Sequence, residues 1–305
     1  MSADTTLGYA QARSRGSLGR RIAHAVGRWL IDWSLALPLL VVAFLMLVAP
    51  ALVMVLSSFT DNAGNFTLAN WTGTFSSRAS QQAIENSLLL GAGSATISLL
   101  IGAPLAWIIA RMTRFGRSWS LGILNVAANF SGIGLGFAYV AALGTYGMVT
   151  LLFQHFGLPF LPPGQNSFWG MMLAYEYGNA PLFILLSLPV MHLLRDEWWE
   201  AAQTSSATRL QFWRHVGLPI LGPFLAADWL LIFTWSVGMY GLPLALVGDN
   251  PRSYRLITIE MGHSLLGSLF GEKRVPVYAV FLMLLAAVSL ITYRIIVRRA
   301  ARCLA

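Results

Sequence analysis

The sequence predicts an all-α integral membrane protein with six transmembrane helices and both termini in the cytoplasm. Three observations predict it. The chain is 56% hydrophobic and only 10% charged, with a mean hydropathy of +0.65. A soluble domain carries about a quarter charged residues, so this surface is made for lipid. Six stretches reach the roughly 20 apolar residues a helix needs to cross a hydrocarbon core of about 30 Å. The basic residues, 19 arginines and one lysine, sit mostly on one side of those stretches.

The chain opens with a basic segment, residues 1–29, carrying Arg13, Arg15, Arg20, Arg21 and Arg28. The first span follows at 30–59. It is too long for a signal-peptide core and comes after a long polar and basic stretch, which reads as an uncleaved helix. A segment rich in Asn, Thr, Ser and Gly, 61–82, leads to the second span at 83–110, closed by Arg111. The third and fourth spans, 119–143 and 168–194, are interrupted by glycine, asparagine and Glu176. Between them Pro159, Pro162 and Pro163 block a regular helix. A loop over 195–220 precedes the fifth span, 221–247. The segment 249–275 then contains an apolar run, 257–269, that predicts a short interfacial or re-entrant helix. The sixth span covers 276–297, and a basic tail, 299–305, ends the chain. With the N-terminus inside, fifteen basic residues fall in cytoplasmic segments and five outside, which fixes the orientation by the positive-inside rule.

Composition also removes several function classes. The net charge of +8 is spread over span ends rather than gathered into a nucleic-acid patch. A single cysteine, Cys303, excludes an internal disulfide. The five histidines are scattered, so no metal site and no cofactor is expected. A phosphate-binding P-loop needs Gly-Lys followed by Ser or Thr, whereas Lys273, the one lysine, follows Glu272. The run Gly132-Ile133-Gly134-Leu135-Gly136 lies inside a span; its small residues at i and i+4 (Gly132 and Gly136, Gly134 and Ala138) predict close helix approach instead.

The most informative segment is the 195–220 loop. It starts helix-compatible at Glu200-Ala201-Ala202, breaks near Ser205-Ser206, and predicts a second short amphipathic helix with Leu210, Phe212, Trp213 and Val216 on its apolar side. Pro219 and Pro223 mark where the fifth span begins. Two short helices lying along the membrane would offer a compact surface to a cytoplasmic partner.

This loop resembles the EAA motif of bacterial binding-protein-dependent ABC importer permeases: Glu-Ala-Ala, three residues, Gly, nine residues, Ile, one residue, Leu-Pro. Glu200, Ala201, Ala202, Leu218 and Pro219 match, Val216 replaces isoleucine, and Ser206 stands where glycine is usual. A positive φ at Ser206 would cost more than at glycine. The resemblance covers about residues 80–298, taken as the permease domain of a type I ABC importer fold. Asn86-Ser87-Leu88 and Pro104-Leu105-Ala106-Trp107 look like parts of that fold. The run 241–248 looks like the iron, polyamine, thiamine and phosphonate branch. The resemblance implies that this loop docks on a separate ATPase, with Glu200 and Arg209 as polar anchors and the alanines allowing close approach. It further implies alternating access, a second permease subunit (a heterodimer is favoured) and an external solute-binding protein. ATP hydrolysis then belongs to the partner, and this chain is not an enzyme.

Ionisable groups at membrane depth are candidate sites. Glu176 lies about 12 Å into the fourth span at 1.5 Å per residue, flanked by Tyr175, Tyr177, Asn179 and Pro181. It either lines a translocation path, with Tyr175, Asn179 and Asn129, or is satisfied by a neighbouring helix. On the first reading it favours a polyamine or other amine-bearing solute such as an aminophosphonate, with ferric iron as an alternative. Asp228 is expected to pair with an arginine or a helix terminus, and the tryptophans near span ends to form an interfacial belt. Two rival classes are an ion-coupled secondary carrier, which needs paired membrane carboxylates and usually an inverted repeat, and a membrane enzyme, which needs a catalytic cluster. Neither set of residues is evident.

Overall fold

The computed structural model describes residues 36–61, 63–158, 164–248, 254–266 and 273–304. The basic segment 1–29, the start of the first span and the three prolines of the third connection lie outside them. Twelve helices are present among the described residues. They are α1 (Ala36–Ser58), α2 (Ala69–Ser76), α3 (Arg78–Ala110), α4 (Arg114–Asn129), α5 (Ile133–Leu143), α6 (Met148–His155), α7 (Phe168–Met191), α8 (Asp196–Thr204), α9 (Arg209–Gly238), α10 (Gly241–Val247), α11 (Ile257–Leu266) and α12 (Arg274–Leu304). Helices alone satisfy every backbone polar group within one segment, the condition lipid imposes.

The chain divides into two compact units, residues 1–56 and 57–305. The first contributes most of α1, whose leucines are exposed (Leu39 72%, Leu47 71%) and whose turn at Phe44–Val48 is widened to a π-helix.

The second unit is a bundle in which α3 packs most extensively on α7, and α9 packs on both α3 and α12. Its apolar interior has two main parts. One, built from α3, α5, α7 and α10, centres on Leu90, Tyr139, Met171, Tyr175 and Leu242. The other centres on Phe183, Leu188, Met191, Phe212, Leu221 and Ile232. This second part lies at the arginine-rich end. Facing spans gain no hydrophobic drive from each other in lipid, so close packing and interhelical hydrogen bonds hold them. α3 shows how. Ser80, Ser87 and Ser94 recur every seven residues, Ser98 lies one turn beyond Ser94, and all four are buried. Ser80 accepts from Tyr278 Oη at 2.6 Å, Ser87 Oγ accepts from the Ile257 amide at 2.9 Å, and Ser94 Oγ accepts from Asn179 Nδ2 at 2.8 Å. One serine face thus joins α3 to α12, α11 and α7.

Three features depart from the sequence expectation. The third span is not one helix over 119–143. It breaks between α4 and α5, where Gly132 takes φ +74°, a conformation open to glycine and costly for other residues. Leu121 and Leu124 of α4 join the arginine-side core, and Leu135 and Tyr139 of α5 the other; the stretch here that is long and apolar enough to cross a membrane is Ile133–His155, α5 together with α6, and not α4. The fifth span ends at Gly238, not Val247: Met239 is extended (ψ 126°), and α10 restarts with Pro243 in its first turn, where a missing N–H costs nothing. The second short helix of the loop is not separate either. Arg209 begins a helix that continues unbroken to Gly238.

Outside the spans, the segment after α1 is ordered by Asp61. Its Oδ1 accepts from the Ala63 and Asn65 amides, both at 2.8 Å, and the Asn65 backbone bond leads in holding the carboxyl below its ordinary range. Phe59, Trp71 and Phe75 stack in turn at 5.5 and 6.0 Å. The predicted 257–269 helix is present as Ile257–Leu266, with Ile257 and Ile259 buried against the bundle.

Candidate functional site: a capped helix at the arginine-rich end

α7 stops at Met191, and α8 departs from it at 66°. The acidic pair Asp196 and Glu197 occupies the first turn of α8, where the helix dipole favours negative charge. The helix is sided. Trp198, Trp199 and Ala202 pack onto the arginine-side core, with Trp199 edge-on to Phe212 at 5.2 Å, while Glu200, Ala201, Gln203 and Thr204 are exposed. Ala201 adds no bulk to that outer face, so its backbone is approachable.

The helix ends in a Schellman cap. The Ala207 amide donates to the Ala202 carbonyl at 3.0 Å and the Ser206 amide to the Gln203 carbonyl at 2.9 Å. Such a cap needs a left-handed residue, and Ser206 supplies it with φ +58°, the only non-glycine positive φ among the described residues. Two residues on, Thr208 opens α9 with a reciprocal capping box: its Oγ1 accepts from the Gln211 amide at 3.3 Å, and Gln211 Oε1 accepts from the Thr208 amide at 2.7 Å. The T-x-x-Q spacing that signals this start was readable in the sequence and was missed.

The matched residues therefore separate. Glu200, Ala201, Ala202 and Ser206 form one short capped unit. Val216 lies in a π-turn, Trp213–Gly217, and packs on the core; Leu218 and Pro219 sit in the wall of α9. Pro219 does not break the helix, because the Leu218 amide reaches back five residues to the Trp213 carbonyl just where the Pro219 N–H is missing. Arg209 lines a cavity of about 230 Å³ with Arg111, Arg195, Asp196 and three tryptophans. Within it the Arg111 guanidinium stacks 3.1 Å over the Trp107 ring and pairs with Asp196 at 3.1 Å.

The membrane-depth residues resolve differently from one another. Ser98 donates to Glu176 Oε2 at 2.8 Å, while Glu176 Oε1 is buried without a protein partner. Asn179 donates to both Ser94 and Ser236 at 2.8 Å, and its Oδ1 is likewise unpartnered. Tyr175 is buried in the core above them. Asn129 does not join this group: it is exposed on α4 and its amide donates to the Asn125 carbonyl at 2.8 Å. The hinge at Gly132 ends α4 there and leaves it on a separate helix. Asp228 meets neither an arginine nor a helix end; Ser187 of α7 donates to it at 3.0 Å. Among the described residues no cluster of His, Cys, Asp or Glu could hold a metal.

The structure superimposes on a bacterial ABC transporter involved in the import of the acidic polysaccharide alginate, with a TM-score of 0.66 over 92% of this chain and 99% of that one, at 16% identity. The chain has the fold of an ABC importer permease. A second alginate ABC transporter structure, in complex with an alginate pentasaccharide-bound periplasmic protein, matches at a TM-score of 0.63 and 17% identity over 90% of this chain and 95% of that one. In sequence the homologues are ABC importer permeases. The molybdenum transport system permease protein ModB of Haemophilus influenzae is 25% identical over 210 residues, 68% of this chain and 90% of that protein. The sulfate permease CysW of Synechocystis is 26% identical over 260 residues, 84% of this chain and 88% of the relative. The sulfate permease CysT of Salmonella typhimurium is 28% identical over 150 residues, about half of each chain. No protein-family model matches. A permease fold of this kind, with its apolar spans, makes the chain a multi-pass inner-membrane protein.

Proposed function

We propose that this chain forms half of the translocation pathway of an ABC importer for a small tetrahedral oxyanion, molybdate or sulfate. It would couple to a cytoplasmic ATPase through α8. The observation that carries the coupling reading is the sidedness of α8. Its aromatic face is rooted in the bundle and its Glu200–Ala201 face is free, so a push on that face is transmitted to α7 and α9 rather than absorbed by a loose loop. Glu200 and Ala201 meet the ATPase in this reading, and Ala202 and Ser206 set the helix against its base. An external binding protein would deliver the solute, and a second permease subunit would complete the path.

The relatives support an oxyanion cargo and lend none to the iron, polyamine, thiamine and phosphonate branch. Physical chemistry agrees. A carboxylate facing the path would repel an oxyanion, and Glu176 is instead engaged by Ser98 within the α3–α7 contact. Glu176→Gln should therefore leave oxyanion uptake and selectivity unchanged; a shift in selectivity would put Glu176 on the path.

The experiment is uptake into proteoliposomes holding this chain, its partner permease, the ATPase and the binding protein. Labelled molybdate or sulfate should accumulate only with ATP. Ala201→Glu should abolish uptake while leaving the chain folded, because it places bulk and charge on the docking face. Uptake without the ATPase, or of spermidine in preference to both oxyanions, would overturn the reading.

A further inference from the structure

The arginine cavity beside α8 continues into an apolar groove. Trp107 and Trp213 line both: above them the groove, about 410 Å³, runs between α3 and α9 past Ile108, Leu218 and Leu225. From Trp213 to Leu225 it extends about 18 Å at 1.5 Å per residue, close to the roughly 15 Å depth of one hydrocarbon leaflet. Ile108 and Leu218 are about half exposed, so the groove opens outward.

Charge at the mouth is uneven. Arg111 is held by Asp196 and Arg195 by Glu197, at 3.1 and 2.9 Å. Arg209 lines the same cavity and makes no ion pair among the described residues, which leaves one positive charge in excess. A single phosphodiester carries one negative charge, and basic pockets between helices at the cytoplasmic face suit such headgroups. Arginine also offers a planar fork that matches phosphate oxygens.

We propose that this cavity and groove form a binding site for one anionic phospholipid of the arginine-side leaflet. The headgroup phosphate sits at Arg209, beside the Arg111–Trp107 stack, and one acyl chain lies along Ile108, Leu218 and Leu225. The lipid would then wedge between the end of α3 and the base of α9, against the root of α8. A zwitterionic lipid fills the groove equally well but brings its own cation to Arg209.

The test is native mass spectrometry of the full chain in detergent with equal amounts of phosphatidylglycerol and phosphatidylcholine. One phosphatidylglycerol should be retained in preference by about fivefold, the effect of one guanidinium near an anionic group. Arg209→Gln should erase the preference and Arg209→Lys keep most of it. Arg209 is exposed at the start of α9 and makes no ion pair among the described residues, so its replacement leaves the fold intact. Ala103→Phe, which fills the groove, should weaken retention of both lipids without changing their ratio. Equal retention of the two lipids, or a ratio unmoved by Arg209→Gln, overturns the proposal. So does displacement of the lipid by free inorganic phosphate or sulfate beyond that of matched chloride, which would mark a free-anion site. No ATPase is needed, so the result is independent of the coupling reading.

Discussion

Ser206 concentrates the chemistry of the site in one backbone angle. A left-handed L-residue costs about 1–2 kcal/mol, and glycine at the same place recovers part of that while losing more entropy on folding. Ser206→Gly should therefore stabilise the chain by about 0.5–1 kcal/mol, seen as a raised unfolding temperature in detergent; an unchanged or lowered one would mean that the Schellman cap is not strained. This residue was legible in advance, because serine in a glycine position already implied a costly turn. Glu176 was only half legible. Its burial depth followed from helix rise, but its partner did not, since Ser98 lies 78 residues away and only packing brings it near. Asn129 is the last residue of α4 and exposed; the glycines and asparagines of that span hint at a break but do not say which way the side chain turns.

At the scale of elements, the tightest helix-to-helix approach marked by a glycine is that of α5 and α10. A side chain at Gly136 would overlap the Ala245 methyl and lie 3.1 Å from the Leu242 carbonyl. Gly136→Val should cost about 1–3 kcal/mol, the range for overpacking, and lower the unfolding temperature; Gly134→Ala, with open space around it, should be close to neutral. A neutral Gly136→Val would mean that α10 moves aside freely. The i and i+4 spacing credits Gly132, Gly134 and Gly136 alike with close approach, and of the three only Gly136 has a neighbouring helix against it. The same blindness explains the other misses. Hydropathy averaged over about 20 residues sees apolarity and not direction, so it ran α4 into α5 and α9 into α10 across breaks at Gly132 and Met239. Nor does it register the serines of α3, whose seven-residue spacing marks a single buried face. Long, uniformly apolar helices such as α12 were legible because nothing in them competes with the period.

For the whole molecule, the arginine distribution makes a claim about sidedness that vesicles can check. In a Cys303→Ala background, Ser205→Cys beside α8 should react with a membrane-impermeant maleimide only in inside-out vesicles. Gly73→Cys on α2, with open space around it, should react only in right-side-out ones. The reverse pattern would invert the topology and with it the docking face. One feature then takes on mechanical meaning. α9 is a single rod of 30 residues, from the capping box at Thr208 to the extended Met239. A tilt of about 5° around its lower end sweeps its upper end by about 4 Å over a length of about 45 Å. Because the rod stops where α10 starts a new direction, that sweep is delivered at one joint, much as a crank delivers its throw at the pin.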